Sequence, residues 1–496
     1  MKRSPKTTLV TRRIVAVAIL LLPVSPAAQS SGKPWAITHG TLIDGTGAAP
    51  LADGVITGRG ERLACAGRLS ECPVPAGATI VDAAGKWIIP GLIDTHIHPN
   101  WAERVSAPES QRTRLAFGIT TTRDAGTPAV FEASLARRET ARSPTAVEPR
   151  LLVSALVSQE HMERYGEHDP GKLAGRLAAL GADAIKVKRE FTPAEYQSIV
   201  AAAHAAGLPV FGHTWGGHGS MLDAALAAGI DGLSHMTTFS EFGQRAEAGR
   251  PAAPDGFAYW LWVKEQWNYQ DEARLSQAIA KIVEQGVWLE PMLVTEKYFT
   301  LPYPLPDDVA YLGDVLSLEQ LLRTSLPIGD TGWVRRKARR DRLAVVYAHI
   351  CEVVRQFRAR GGVVITGTDD IVPGPGLLNE IALLTGCGFS PMEALQAATI
   401  RAASALKVPD VGTIAAGKFA DLVILDANPL SDPANLRRVW RVVKGGFVHD
   451  PAVLLQPAIA AYDARVRWAW AARAAAGCAC AGVVGALWVG YRRRRR

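Results

Sequence analysis

The thirteen residues from Lys86 to His98, KWIIPGLIDTHIH, restrict what this chain can become more than any other stretch. Trp87, Ile88 and Ile89 form an apolar run, Pro90 and Gly91 break it, and Leu92 and Ile93 restart it. His96 and His98 follow, two apart. In a strand, residues two apart point to the same face, so both imidazoles aim at one place. Neutral imidazole is the commonest side-chain metal ligand. A metal centre and a pair of ordinary core histidines are the two readings of such a pair. The choice depends on whether further ligands arrive in order along the chain.

Residues 34–86 and 408–450 read as short β elements divided by Gly, Pro and Asp. Between them lie eight candidate strands: Ile88–His98, Gly118–Ala125, Arg150–Ser158, Ala184–Lys188, Pro209–Thr214, Gly232–Thr237, Val287–Val294 and Val363–Asp369. Helical patterns such as PAEYQSIVAAAHAAG and SMLDAALAAG separate most of them. Alternating strand and helix argues for a parallel sheet, and eight repeats argue for closure. The expected fold is α/β: a (β/α)8 TIM-like barrel over residues 88–403, with a small composite β-sandwich built from 34–87 and 404–452. In such barrels the active groups sit at the C-terminal ends of the strands. The gaps after strands six and seven, about 50 and about 70 residues, are long enough for lids or substrate walls.

Polar candidates fall at those strand ends. Strand four carries Lys186 and Lys188 on one face. A protonated lysine has no lone pair for a metal, but a lysine carboxylated by CO2 does bind cations, and spacing does not choose between the two. Strands five and six end in His213 and His235, 22 residues apart and separated by one helix. Strand eight delivers Asp369 and Asp370, of which either could instead cap the following helix. His218 reads as a support or helix cap, and His204 as structural. Arg123, ending strand two, suits a bidentate pair with a substrate carboxylate or an ion pair with Asp124. His161, Arg164, Tyr165 and His168, after strand three, suit a peptide's terminal group or a solvated loop.

Pro-Gly-Leu-Ile-Asp-x-His-x-His closely resembles the first barrel strand of the amidohydrolase superfamily, and GTIAAGKFADLVILD resembles its strand pair after the barrel. GITTTRDAG, GADAIKVK, AHAAGLPVFGHT and GIDGLSHMT resemble the branch of imidazolonepropionase-like proteins and Xaa-Pro or Xaa-Arg dipeptidases. The likeness covers about residues 36–450. It implies a metal-dependent hydrolase, and it selects Lys186 over Lys188 and Asp369 over Asp370. It also implies two divalent ions, zinc first, with manganese, cobalt or iron also suited to these donors. His96, His98 and Asp369 would hold the deeper ion, His213 and His235 the outer one, and carboxylated Lys186 would bridge them. Such a centre supplies hydroxide at neutral pH, and Asp369 is the expected proton carrier.

The expected reaction is hydrolysis of an amide C–N bond, in a dipeptide of the Xaa-Pro or Xaa-Arg type or a related small amide. A cyclic amide of the imidazolonepropionase kind or a lactone fits the same centre. A mononuclear deaminase is a further alternative, although such enzymes lack the strand-four lysine. The alternative of another class is a membrane-anchored binding protein without chemistry.

The ends of the chain set the expected location. A basic stretch, the apolar IVAVAILLLPV and the small residues SPAAQSS read as an export signal over residues 1–28. Thr11, Arg12 and Arg13 hint at twin-arginine export. Residues 474–491 are uncharged and long enough to span a bilayer, with Arg492–Arg496 just beyond. A sorting tail exchanged for a surface anchor reads the same way. The formal charge of +8 comes from these ends, and the body is near −2. Charge therefore argues for membrane topology and against nucleic acid. The expectation is an exported, periplasmic or envelope enzyme acting on a small molecule or dipeptide, with a homo-oligomer compatible. Export permits a Cys65–Cys72 disulfide. Cys351 and Cys387 read as isolated buried thiols.

Overall fold

The computed structural model describes residues 32–99, 107–126, 131–188, 191–216, 219–242, 263–300, 337–370 and 372–460. Five strands precede the large domain. Pro34–Leu42 (β1), Leu51–Arg59 (β2) and Arg62–Arg68 (β3) form an antiparallel ladder. Thr79–Asp82 (β4) and Trp87–Pro90 (β5) run parallel to β1 along its other edge. The chain then breaks at Gly91 and enters a different sheet as Leu92–Ile97 (β6). The single strand expected over 88–98 is therefore two strands, because Pro90 and Gly91 interrupt the run where the chain changes domain.

Strand β6 opens a parallel sheet with Ile119–Asp124 (β7), Arg150–Val157 (β8), Ala184–Lys188 (β9), Val210–His213 (β10), Gly232–Ser234 (β13) and Trp288–Glu290 (β14), side by side in chain order. The two-residue strands Trp215–Gly216 (β11) and Gly219–Ser220 (β12) make a small ribbon after β10. Helices return the chain between strands, as in Pro193–Ala205, where Thr192 and Glu195 form a capping box and Pro193 occupies the first turn.

The expected eighth strand, 363–369, is extended chain with one ladder bridge, Val364 to Leu289. Its backbone meets β14 through Leu289 N to Val363 O (2.9 Å) and Ile365 N to Leu289 O (3.0 Å). It meets β6 through Thr95 N to Thr366 O (3.0 Å) and Asp369 N to His96 O (2.8 Å).

The last strands, Leu422–Leu425 (β15), Val439–Lys444 (β16) and Phe447–His449 (β17), rejoin the first sheet, with β15 antiparallel to β5. The expected composite sandwich is thus one mixed eight-stranded sheet drawn from both segments. Ile88, Leu422 and Ile424 face a small core with Trp35, Ile37 and Ile56. Ile89, Val423 and Leu425 face the large core. Both faces are covered, which is why WII and LVIL are apolar without alternation.

Cys65 and Cys72 form a disulfide, and so do Cys351 and Cys387. The second corrects the reading of two isolated thiols. Helix Lys337–Ala359 carries Cys351, Cys387 follows helix Pro375–Gly386, and their Cα atoms lie 5.2 Å apart. Spacing of 36 residues gave no sign of that approach.

Among the described residues no helix is long and apolar enough to cross a membrane. The expected leader 1–28, the segment 474–491, His218 and residues 243–262 and 301–336 of the two long gaps lie outside the described residues.

Candidate metal centre

Alternation sorts the side chains of the parallel sheet. Ile185, Val187, Val210, Leu233 and Leu289 point out into the helix-packed core. Ile93, Ala184, Phe211, Trp288 and Ile365 pack together on the opposite face. Lys186, His213 and Glu290 share that inner face by parity, at the C-terminal ends of β9, β10 and β14. Strand β6 departs from simple alternation. Asp94 pairs with Thr122 but Ile97 with Asp124, three residues against two. Such a bulge re-aims side chains, and here the rings of His96 and His98 converge, 5.3 Å apart between centroids.

Around that point the other expected ligands gather. His96 Nε2 lies 3.1 Å from Lys186 Nζ and 3.9 Å from Asp369 Oδ1. His98 Nε2 lies 3.3 Å from the same Asp369 oxygen. The His235 ring is 5.2 Å from that of His96 and 4.9 Å from that of His213. Ligand atoms of His96, His235 and Asp369 all fall within 4.8 Å of one another.

Burial sets the charge states. Desolvation, followed by the Lys186 ammonium, holds His96 far below the usual histidine range. Desolvation, followed by His235, does the same to His213. His235 is pushed down to about 3, again chiefly by burial and against the pull of Asp369. Desolvation pushes Asp369 up, but the His98 hydrogen bond and the neighbouring imidazoles of His235, His98 and His96 outweigh it and hold the carboxyl well below its ordinary value. Lys186 is brought down to about 7, chiefly by burial. Neutral imidazoles beside an ionised carboxylate are the donor set that a zinc-like cation takes, so these residues fit the implied metal.

Glu290 is the support that sequence reasoning missed. Its Oε2 accepts from His96 Nδ1 at 2.7 Å and from Ser234 Oγ at 2.8 Å, and its Oε1 from Arg123 Nη2 at 3.0 Å and from Thr95 Oγ1. The proton held on Nδ1 leaves the His96 Nε2 lone pair facing Lys186. A glutamate closing the apolar VWLEP segment was the available signal, since it occupies the strand-end position of the other ligands. Below the centre, Asp370 accepts from His98 N at 2.7 Å and pairs with Arg114, while Thr368 Oγ1 donates to Asp94 at 2.7 Å.

Backbone strain concentrates here. His235 (φ 63°), Asp369 (φ 50°), Asp370 (φ 59°) and Met292 (φ 52°) are left-handed at the ends of strands, a conformation that costs a non-glycine residue about 1–3 kcal/mol and clusters at functional sites. Two glycines make room: a Cβ on Gly367 would meet His96 Cβ at 2.7 Å, and one on Gly212 would meet the Val187 carbonyl oxygen at 2.0 Å.

The residues expected to contact substrate have partners within the protein. Arg123 is not paired with Asp124, which accepts from Ser134 Oγ at 2.5 Å. Its Nε donates to Thr95 O at 2.6 Å and its guanidinium lies 3.6 Å over Phe211. At 1% exposure it braces Glu290 from inside the sheet. His161, buried, stacks on Tyr165 with centroids 6.0 Å apart. The Tyr165 hydroxyl donates to Glu132 at 2.5 Å, and Arg164 pairs with the same carboxylate. Burial, then Glu132, raises Tyr165 to about 12. His204 pairs with Asp231 at 2.8 Å, a structural role as expected.

The amidohydrolase family model matches residues 87–449. The chain belongs to the amidohydrolase family. As an amidohydrolase it is a metal-dependent hydrolase acting on carbon–nitrogen bonds. It is 25% identical over 422 residues to an imidazolonepropionase of Mycolicibacterium smegmatis, covering 82% of this chain and 91% of that protein. A 91-residue stretch, 17% of this chain, is 38% identical to an uncharacterized protein of Mycobacterium bovis but spans only 13% of that protein's length. A solved Xaa-Pro dipeptidase with bound methionine superposes with a TM-score of 0.59 at 20% identity, over 84% of this chain and all of that one, which shows a shared fold.

Proposed function

We propose that this amidohydrolase is an exported enzyme that cleaves the C–N bond of a dipeptide of the Xaa-Pro or Xaa-Arg type, or a related small amide. In this reading His96, His98, Lys186, His213, His235 and Asp369 hold two divalent ions, and 363–369 serves as the eighth strand that closes the barrel. The observation that carries it is Lys186, buried with its Nζ 3.1 Å from a histidine ring nitrogen in a nest of imidazoles. An ordinary structural lysine at such depth pairs with an acid, as Lys264 does with Glu296.

Near pH 7 the Lys186 amine is in part unprotonated, and a neutral amine adds CO2, forming an N–C bond and releasing a proton. The resulting carboxylate would be an oxygen donor beside His96. When bound, the ions supply Lewis acidity for the amide carbonyl and lower the pKa of water toward neutrality. Asp369, kept ionised and aimed at His98, takes a proton from the attacking water and returns it to the departing nitrogen. Glu290 keeps the His96 ring from turning, and Asp370 holds the His98 backbone amide. The disulfides Cys65–Cys72 and Cys351–Cys387 support an oxidising compartment, in line with the leader expected over residues 1–28.

The long alignment with an imidazolonepropionase favours a second reading, opening of a cyclic amide at the same centre. Protein reconstituted with zinc or manganese and bicarbonate should release amino acid from Xaa-Pro or Xaa-Arg dipeptides. Turnover of cyclic amides alone would move the assignment to the second reading. Failure on both would contradict amide hydrolysis.

A further inference from the structure

Two lysines on one face close strand β9, and the chemistry above uses one. Lys186 contacts His96, while Val187 between the lysines packs outward in the large core. Alternation therefore directs Lys188 to the inner face as well, about 6–7 Å further toward the C-terminal end of the strand. In register, Lys186 lies opposite Phe211 and Lys188 opposite His213, so Lys188 and the His213 ligand are same-face neighbours on adjacent strands. Lys186 is 4% exposed, whereas Lys188 is open to solvent. An exposed side chain on the inner face at a strand's C-terminal end stands at the mouth, where substrate enters. Its charge is felt in the centre, being among those that lower Lys186 and His213.

Three other cations of this region, Arg123, Arg114 and Lys264, are at most 1% exposed. Lys188 differs in its exposure to solvent. Its ammonium is a point charge on a flexible stem, suited to a single oxyanion. Holding ions and moving the proton require no second lysine here.

We propose that Lys188 is a specificity-determining residue that binds a carboxylate carried by the substrate near the scissile C–N bond. The inference rests on the amide-hydrolase reading and narrows it to acidic amides: N-acyl amino acids and dipeptides with a free C-terminus.

The test compares metal-loaded full-length protein with its Lys188→Met and Lys188→Glu variants on paired substrates, a dipeptide and its C-terminal amide. The wild type should favour the free acid by at least about tenfold in kcat/KM, the size of one charge-assisted hydrogen bond, and the preference should reside in KM. In Lys188→Met the ratio should fall toward one, and in Lys188→Glu it should reverse. A ratio that survives in Lys188→Met overturns the proposal. Calorimetric binding of N-acetylproline against N-acetylprolinamide provides a readout independent of turnover. Should no amide be hydrolysed while the wild type binds the acid about tenfold more tightly than Lys188→Met does, the carboxylate site stands and the hydrolase reading falls. Equal binding by both proteins removes the carboxylate site whatever the turnover.

Discussion

Glu290 Oε2 lies 2.7 Å from Nδ1 of His96, and both side chains are wholly buried. The carboxylate fixes the ring's tautomer and aim, and it is itself held by Arg123, Ser234 and Thr95. Carboxylates that orient a ligating histidine typically change metal affinity 10–100-fold when removed. Glu290→Gln should therefore bind metal about 10–100 times more weakly while keeping its fold. Competition with a chromophoric chelator, alongside circular dichroism, measures both. Unchanged affinity would reduce Glu290 to a structural partner of Arg123.

Asp369→Asn keeps the shape of the side chain but loses its basicity. Turnover should fall by about 10²–10⁴-fold, the range of general acid–base catalysis, with KM changed much less and the melting curve close to that of the wild type. An Asp369→Asn variant that works at near wild-type rate would remove Asp369 from proton transfer.

Acid sensitivity should trace in part to Glu393. The bidentate bond from Arg358, at 2.9 and 2.7 Å, leads the Ser390 bonds in lowering this carboxyl to about 2. The unfolded chain takes up its proton near pH 4.5, the folded chain only near 2. Its stabilisation is therefore complete above about 4.5 and is lost as pH falls toward 2. Urea midpoints at pH 6 and pH 3 should show the wild type losing about 1 kcal/mol more than Glu393→Gln, allowing for the partial exposure of the pair. Parallel losses in the two proteins would contradict the assignment.

The Cys351–Cys387 bond joins helix Lys337–Ala359 to the end of helix Pro375–Gly386, whose Glu380 accepts from Leu293 N and Val294 N at 2.9 and 2.7 Å. It thus braces the segment that follows β14. The Cys351→Ser, Cys387→Ser double variant should lose about 4 kcal/mol, as expected for closing a loop of this size. Denaturant titration of oxidised and dithiothreitol-treated wild type offers an independent check. Identical midpoints would show that the bond carries no stability.

Much of this site could be read from the sequence because its chemistry lies in short motifs at strand ends. Lys186, His213, His235 and Asp369 each close an apolar segment, and parallel strands in chain order bring such ends together. The bulge in β6 was hidden, since three-against-two pairing leaves no mark in LIDTHIH. Glu290 was overlooked because a single acid resembles a surface residue until its partners, from β6, β7 and β13, are known. The partners of Arg123 were hidden for the same reason: only the fold reveals that Glu290 and Phe211 take its guanidinium. The Cys351–Cys387 pairing follows from helix packing, which periodicity does not encode. Solvent access, not strand register, separated Lys186 from Lys188.

The central claim is a two-ion centre bridged through Lys186, and metal content tests it most directly. Wild-type protein purified without chelators, or reconstituted with zinc and bicarbonate, should carry close to two transition-metal ions per chain. Lys186→Ala should carry fewer, in part restored by a short carboxylic acid, whereas Lys188→Ala should retain both. One ion or none in the reconstituted wild type, or loss of metal in Lys188→Ala in place of Lys186→Ala, would contradict the account.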